Sequence, residues 1–267
     1  IGRNVTARCP RGGHRDTEPR MSTETPPARS GSLAVAVGIL SSRLIGLVRQ
    51  RVFAHYFGTS PYADVFNVGL RLPNLLQNLL GEGTLSASFI PVYAELLAAG
   101  KKEEAGRVAG AVFAILVALA GLLAVGGVVL APVMVRIVAP GFEGERYEMT
   151  VVVVRWLFPM TGLLVLSAWA LGILNSHRRF LVSYLAPVVW NVAIIAALVW
   201  FGGGLGWRDR DLLYAVSAGA LIGGCLQLLV QLPTVVLLER DLRIRWDPNL
   251  PAVREVLRNA GPAVLGR

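Results

Sequence analysis

The chain has 267 residues, of which 54% are hydrophobic and only 16% are charged, and its mean hydropathy is +0.56. Soluble domains carry about a quarter of charged residues. This composition therefore excludes a soluble globular domain and predicts a helical membrane protein. The net charge of +9 does not indicate nucleic-acid binding, because the basic residues lie between apolar runs rather than in one cluster.

The first 32 residues are polar and rich in Arg, Pro, Gly, Ser and Thr, which predicts a disordered N-terminal tail over 1–32. The first methionine is Met21, and we expect the natural chain to start there. Cys9 lies in this tail and Cys225 in an apolar run, so no disulfide framework is indicated. The three histidines have no cysteine or acidic residue at ligand spacing, and we expect neither a metal nor a cofactor.

Six apolar runs predict an all-α fold, a polytopic transmembrane helix bundle, with a six-helix lobe over residues 33–238. The predicted spans cover about 33–53, 61–98, 110–138, 151–174, 181–201 and 212–238, and the second is weakened by the glycines on either side of Glu82. A basic cytoplasmic segment, 239–258, follows. Residues 259–267 begin another apolar run that is too short to cross a membrane, so we expect the truncated start of a seventh helix.

The basic residues of alternate loops predict the orientation of the lobe. The loops after the second, fourth and sixth spans hold ten Lys and Arg residues, whereas the opposite loops hold five. Cytoplasmic loops carry the excess of positive charge. The N-terminus is therefore predicted to be cytoplasmic.

The second predicted span carries a one-sided polar stripe from Asp64 to Glu82, in the sequence DVFNVGLRLPNLLQNLLGE. At about 100° per residue, six of its seven polar residues share one sector roughly 80° wide, and Gln77 lies outside it. The first span also has two faces, one with small and polar residues and two arginines, the other with leucine and valine. Within a membrane, these polar faces are expected to line a cavity.

The charges of the first two spans favour an anionic ligand. Three arginines and two acidic residues matter here, namely Arg43, Arg49, Asp64, Arg71 and Glu82. A charge at bilayer depth is costly and normally faces a protein interior or a wet cavity. Arginine's forked donors suit phosphate oxygens. The alternative for Arg49 and Asp64 is a structural position near the outer interface, and lone polar residues such as Asn191 or Gln227 are expected to make interhelical hydrogen bonds.

The same region resembles the MurJ (MviN) family. The residues that carry the resemblance are SSRLIGLVRQRVFAHYFGTSPYADVFNVGLRLPNLLQNLLGEGTLSASFIPVYAE, followed by APGF at 139–142, GILNSHRRF at 172–180, QLP at 231–233 and GPAVLG at 261–266. The resemblance covers about residues 33–266. It implies a lipid II flippase of the multidrug/oligosaccharidyl-lipid/polysaccharide exporter superfamily, with fourteen helices in the whole protein and two lobes around a cationic cavity.

The resemblance also implies which residues handle the substrate, an undecaprenyl-diphosphate-linked peptidoglycan precursor moved to the outer leaflet by alternating access. Arg43 and Arg49 match the arginines of the family's motif, and Asp64 and Glu82 match its acidic residues. Arg43 and Arg49 would bind the diphosphate, and the two acidic residues would position those arginines. The full set of expected substrate-binding residues is Ser42, Arg43, Arg49, Asp64, Arg71, Asn78 and Glu82.

One departure concerns Gln77 and Asn78, which stand where the family carries two arginines. Membrane lipids and the lipid-linked precursor are the expected partners, and cell-wall synthesis proteins are left open as further ones. A non-enzymatic transporter is predicted, because no nucleophile–base set is present. The alternatives are another exporter of the superfamily, either a polysaccharide-lipid flippase or a drug/cation antiporter, and a membrane scaffold for cell-wall enzymes that does not transport.

Overall fold

The computed structural model describes residues 29–78 and 83–265, without the side chains of 29–36, 72 and 263–265. All regular secondary structure in these ranges is helical, which confirms the predicted fold class. The elements are α1 (Arg29–Phe57), α2 (Pro61–Asn78), α3 (Thr84–Ala98), α4 (Lys102–Val138), α5 (Gly144–Ser176), α6 (Phe180–Ala197) with a π-helical turn (Leu198–Gly204), α7 (Asp209–Leu238) and α8 (Pro251–Leu265).

Most helices begin before the apolar run that predicts them. Helix α4 begins at Lys102 rather than near 110, and α5 begins at Gly144 rather than near 151, because charged residues extend each helix beyond its apolar part. Helix α8 begins at Pro251, inside the predicted basic segment, and proline is well suited to a first helical position. The predicted disordered tail and the break around Glu82 fall mainly on residues outside the described ranges, although 29–32 already belong to α1.

Four helices of the described chain are long and apolar enough to cross a membrane, namely α4, α5, α6 with its π-helical turn, and α7. Helices α1 and α2 carry the arginines and the polar stripe, and the apolar α3 has only 15 residues. The number of six complete spans therefore stays a prediction.

The connections between the helices lie at two ends of the bundle, and α2 and α3 run in the same direction between them. At one end, which we call the upper end, lie the connections 58–60, 139–143 and 205–208, and at the lower end lie 99–101, 177–179 and 239–250. The upper turn between α1 and α2 is short because Gly58 adopts a φ of +53°, and its N–H donates to the carbonyl oxygen of Ala54 at 2.9 Å.

Helix α5 is the most deeply buried element and packs against α2, α3, α4 and α7. Trp169 of α5 is buried, and its indole Nε1 donates a hydrogen bond to the carbonyl oxygen of Ala109 on α4 at 3.2 Å. On the same interface, Phe158 packs directly onto Gly127, where a side chain would overlap its ring. Glycine thus lets α4 and α5 approach closely.

Helix α7 contacts its neighbours through a stripe of small and amide residues spaced four apart. Gly219 faces Ala197 of α6, and a Cβ at that glycine would lie 2.6 Å from the Ala197 Cβ. Further along, Ser167 of α5 donates to Oε1 of Gln231 at 2.7 Å and accepts from Nε2 of Gln227 at 2.8 Å. The predicted interhelical hydrogen bond of Gln227 is confirmed.

The corresponding prediction for Asn191 is wrong. Its Nδ2 donates to the carbonyl oxygen of Pro187, four residues earlier on its own helix, at 2.8 Å, which is a local side-chain-to-backbone bond that asparagine forms readily.

A polar cluster ties three helices together at the lower end. Buried Glu239, at the end of α7, accepts a hydrogen bond from the hydroxyl of Tyr93 on α3, and its Oε1 lies 3.0 Å from Nε2 of His177 at the end of α5. The chain then runs along α4, where Gly106 and Gly110 face the backbone of residues 241–244. The lower end is therefore packed, whereas the polar stripe of α2 faces outward.

Candidate functional site

The polar stripe of α2 lies on the exposed side of the helix. Five of its polar residues are exposed, namely Asp64, Asn67, Arg71, Asn74 and Asn78. On the opposite side, Val65, Phe66, Gly69 and Pro73 are buried against α5 and its neighbours. Gln77, which the helical angle places outside the stripe, is half-buried. The structure therefore confirms a two-faced helix whose polar face is open.

Helix α1 packs on α6 and shows the two predicted faces. Its leucines and valines are exposed on one side, where they can meet lipid, and these residues are Val37, Leu40, Leu44, Leu47 and Val48. Its contact with α6 is close because Gly38 faces Tyr184, and a Cβ there would lie 2.7 Å from the Tyr184 Cβ. Ser42 is half-buried on the polar side, and Arg43 beside it is exposed.

Arg49 is half-buried and rests on an aromatic ring of α6. Its guanidinium carbon lies 5.0 Å from the centroid of the Trp190 ring. The indole Nε1 of Trp190 donates to the carbonyl oxygen of Ala220 on α7 at 3.1 Å, which fixes the ring against two helices. A cation over the face of an indole is held by the ring quadrupole. Trp190 therefore orients Arg49 without neutralising its charge.

A cavity of about 310 Å³ adjoins Arg49 between α1, α2 and α6. Its polar lining comes from Arg49 and Gln50 of α1 and Asn67 of α2, and Phe53 and Phe66 supply apolar walls. Among the described residues, Arg49 has no acidic partner. The cavity thus presents a guanidinium and two amides without a compensating negative charge.

Asp64 contacts an arginine that lies 82 positions further along the chain. Its Oδ2 accepts from Nη2 of Arg146 at 2.8 Å, and Arg146 lies in the first turn of α5. The guanidinium also lies over the ring of Phe142, with 4.7 Å between its carbon and the ring centroid. In this conformation Asp64 therefore positions Arg146, rather than Arg43 or Arg49 as we expected.

A second cavity, of about 430 Å³, lies between α2 and the connection from α4 to α5. Asp64, Asn67, Arg71 and Arg146 provide its charged and polar lining. Asn67 lines both cavities, so the two recesses are neighbours on the polar face of α2. Within the described chain, Arg71 has neither an ion pair nor a hydrogen bond.

The structure thus brings together part of the predicted set. Arg49, Asp64 and Arg71 line the two adjoining cavities, whereas Ser42, Arg43 and Asn78 lie outside both on the same two helices. Glu82 lies outside the described residues.

Sequence reasoning missed two residues of the site, Arg146 and Trp190. Arg146 follows the APGF segment, and it was counted only among the loop charges that predict orientation. Trp190 lies in an apolar run, one residue before Asn191, where an aromatic residue is expected for packing. Neither a tryptophan in an apolar run nor an arginine in a charged segment reveals which distant helix it contacts.

The chemistry of this surface is that of anion binding. Three arginines and one carboxylate line the two cavities, which leaves an excess of positive charge beside two amide side chains. Guanidinium groups bind phosphate and carboxylate oxygens through paired hydrogen bonds. A cationic ligand would meet repulsion here.

Comparisons of the sequence with known proteins point to one family. The model of a family described as lipid II flippase MurJ matches residues 53–267. A lipid II flippase MurJ from Burkholderia cenocepacia is 34% identical over 237 residues, which cover 86% of this chain and 45% of that relative. The chain spans about half the length of the curated relatives it matches.

Solved structures share the fold. A lipid II flippase MurJ in an inward closed conformation matches with a TM-score of 0.68 at 20% identity, over 87% of this chain and 47% of that one. A MATE protein in complex with MaD3S matches with a TM-score of 0.70 at 19% identity, over 88% of this chain and 51% of that one. At these identities the likeness concerns the arrangement of helices alone.

Proposed function

The chain belongs to the lipid II flippase MurJ family, and from that premise we propose that it forms one lobe of a lipid II flippase of the bacterial inner membrane. The protein would move the undecaprenyl-diphosphate-linked precursor of peptidoglycan from the inner to the outer leaflet by alternating access. No bond is made or broken in this step. The observation that supports the proposal is the polar face shared by α1 and α2. This face is open and basic, and its residues line two cavities.

The diphosphate is the part of the substrate that this face would recognise. Arg43 and Arg49 are the proposed binding residues, and Ser42, Arg71 and Asn78 would add donors along the same faces. Trp190 holds the Arg49 guanidinium without a counter-ion, so its charge stays available to the ligand. Glu82 is proposed to shift the balance between the inward and outward states.

The lower end of the lobe is proposed to face the cytoplasm, with the N-terminus on the same side. The loops at this end carry the larger number of basic residues, and the positive-inside rule supports this orientation. Substrate would then enter between the helices from the lower side and leave past the upper end. The isoprenoid tail would remain in a groove between helices and would not enter the polar cavity.

The charge of the site supports a flippase over a drug/cation antiporter. The likeness to a MATE protein is a likeness of fold and does not identify a ligand. A cationic drug needs an acidic cavity, whereas this surface has more arginines than carboxylates.

Complementation of cells depleted of their own lipid II flippase tests the proposal. The complete native reading frame should restore growth, and Arg43→Ala should abolish rescue while the protein still inserts in the membrane. Arg51→Ala is the matched control, because Arg51 is an exposed arginine of the same helix outside the polar face. Full rescue by Arg43→Ala would contradict the assignment, and failure of the wild-type gene itself would favour a scaffold.

A further inference from the structure

The cavity at the upper end contains an arginine that the proposed diphosphate site does not use. Arg146 reaches it from α5, whereas every other proposed substrate residue comes from α1, α2 or the segment between α2 and α3. Its contact with Asp64 is direct, at 2.8 Å, and both side chains are partly exposed, by 41% for Arg146 and 59% for Asp64. The pair is therefore accessible to a ligand.

The ion pair leaves donors of Arg146 unused. Asp64 engages Nη2, but Nε of Arg146 is buried and has no acceptor among the described residues. Buried donors without a partner are rare in folded proteins and call for an explanation. A phosphate bound side-on to a guanidinium uses Nε together with one of the Nη nitrogens. An anion that displaces Asp64 and bridges Nε and an Nη nitrogen would satisfy a donor that the present partner leaves without an acceptor.

The surroundings also favour an anion. Arg71 and Arg146 line one cavity of about 430 Å³ with a single carboxylate, so the cavity has an excess of one positive charge. The amide of Asn67 supplies another donor at the boundary with the Arg49 cavity. A diphosphate brings more negative charge and more acceptor oxygens than the Asp64 carboxylate. It can therefore displace that carboxylate from Arg146.

The depth of these residues orders them along the proposed transport path. At 1.5 Å per residue, Arg43 lies about 21 Å and Arg49 about 12 Å below the upper end of α1. Arg71 lies about 15 Å and Asp64 about 5 Å below the upper end of α2. Arg146, which contacts Asp64, is therefore the uppermost arginine of the site.

We propose that Arg146, together with Arg71 and Asn67, forms an upper anion-binding site at which the diphosphate group is held before release to the outer leaflet. Asp64 occupies Arg146 when the site is empty and competes with the diphosphate, which speeds its departure. This inference rests on the proposed function for its substrate, but its anion chemistry can be tested separately.

Binding of inorganic pyrophosphate to the purified product of the complete native reading frame is the test, measured by isothermal titration calorimetry. Arg146→Gln should weaken binding about tenfold or more, because it removes charge-assisted hydrogen bonds. The affinity of Arg146→Lys should lie between those of wild type and Arg146→Gln, since lysine keeps the positive charge but lacks the paired donors of the guanidinium. Asp64→Asn should tighten binding, because it removes the competitor.

Arg136→Gln is the matched control. Arg136 also lies over an aromatic ring near the upper end, 5.5 Å from the centroid of Tyr147, but it does not line the cavity. Its replacement should leave pyrophosphate binding unchanged. Equal binding by Arg146→Gln and wild type, or equal weakening by Arg146→Gln and Arg136→Gln, would overturn the proposal.

Exchanging Asp64 and Arg146 distinguishes a role of the pair in ligand binding from a role in holding α2 and α5 together. The double variant Asp64→Arg with Arg146→Asp keeps an ion pair between α2 and α5, so it should retain thermal stability but lose translocation of fluorescent lipid II. Full translocation by this variant would show that the pair is only a tie and would refute the upper site. If Arg43→Ala abolishes translocation while Arg146→Gln binds pyrophosphate normally, the upper site fails and the flippase assignment stands. If Arg43→Ala translocates normally, the flippase assignment fails, and the pyrophosphate titrations still decide the upper site.

Discussion

Replacing Trp190 with leucine removes the surface on which the Arg49 guanidinium rests, 5.0 Å from the ring centroid. A cation–π contact contributes about 0.5–2 kcal/mol, depending on its exposure, and Arg49 is half-buried. A loss of about 1 kcal/mol corresponds to roughly fivefold in a binding equilibrium. Because Arg49 is proposed to contact the diphosphate, we expect the apparent KM for lipid II to rise roughly fivefold, with a smaller change in the maximal rate.

Trp190→Phe is the control that isolates the ring from the indole hydrogen bond. Phenylalanine keeps an aromatic face for Arg49 but lacks the indole N–H, which in Trp190 donates to the carbonyl oxygen of Ala220 at 3.1 Å. That bond contributes about 1 kcal/mol to stability. We therefore expect Trp190→Phe to unfold at a lower temperature than wild type, with a KM close to the wild-type value.

The assay is the initial rate of translocation of fluorescent lipid II in proteoliposomes, measured over a range of lipid II densities, with thermal unfolding in parallel. An equal KM for Trp190→Leu and Trp190→Phe would refute the idea that the ring positions Arg49. The idea would also be refuted if the loss of folded protein accounted for the whole loss of transport by Trp190→Leu.

Two further predictions concern the packing of the lobe. Gly127→Ala should destabilise the protein by about 1–3 kcal/mol, because its Cβ would overlap the buried ring of Phe158. Gly46→Ala, with nothing within 4 Å, should leave stability unchanged or raise it slightly in the same thermal unfolding experiment, and equal effects would contradict the packing argument. Glu239→Ala should cost about 1–3 kcal/mol, because it removes the buried carboxylate that both the Tyr93 hydroxyl and Nε2 of His177 contact. Glu239→Gln keeps an acceptor and should unfold at a higher temperature than Glu239→Ala, and the reverse order would exclude this role.

Much of the fold follows from one-dimensional patterns. The apolar runs locate α4 to α7, since a membrane-crossing helix needs about 20 apolar residues. The 100° periodicity also separates the faces of α2, and the structure buries Phe66 while exposing Asn67 as that pattern requires. Helix ends are less predictable, because charged residues such as Lys102 continue a helix beyond its apolar part.

The contacts of the site depend on tertiary packing and do not follow from such patterns. Asp64 was expected to position the arginines of α1, but α2 packs mainly against α5, which brings Arg146 to the carboxylate instead. Likewise, α1 packs on α6, which places Trp190 under Arg49. Periodicity assigns a residue to a face of its own helix. It does not identify the helix that this face meets.

The most direct test of the central claim is lipid II translocation by purified protein from the complete native reading frame, reconstituted in liposomes and followed with fluorescent lipid II. We expect wild type and Arg51→Ala to transfer lipid II between leaflets, and Arg43→Ala and Arg49→Ala to reduce the rate to that of empty liposomes. Transfer at the wild-type rate by Arg43→Ala and Arg49→Ala would contradict the claim that the arginines of α1 carry the diphosphate.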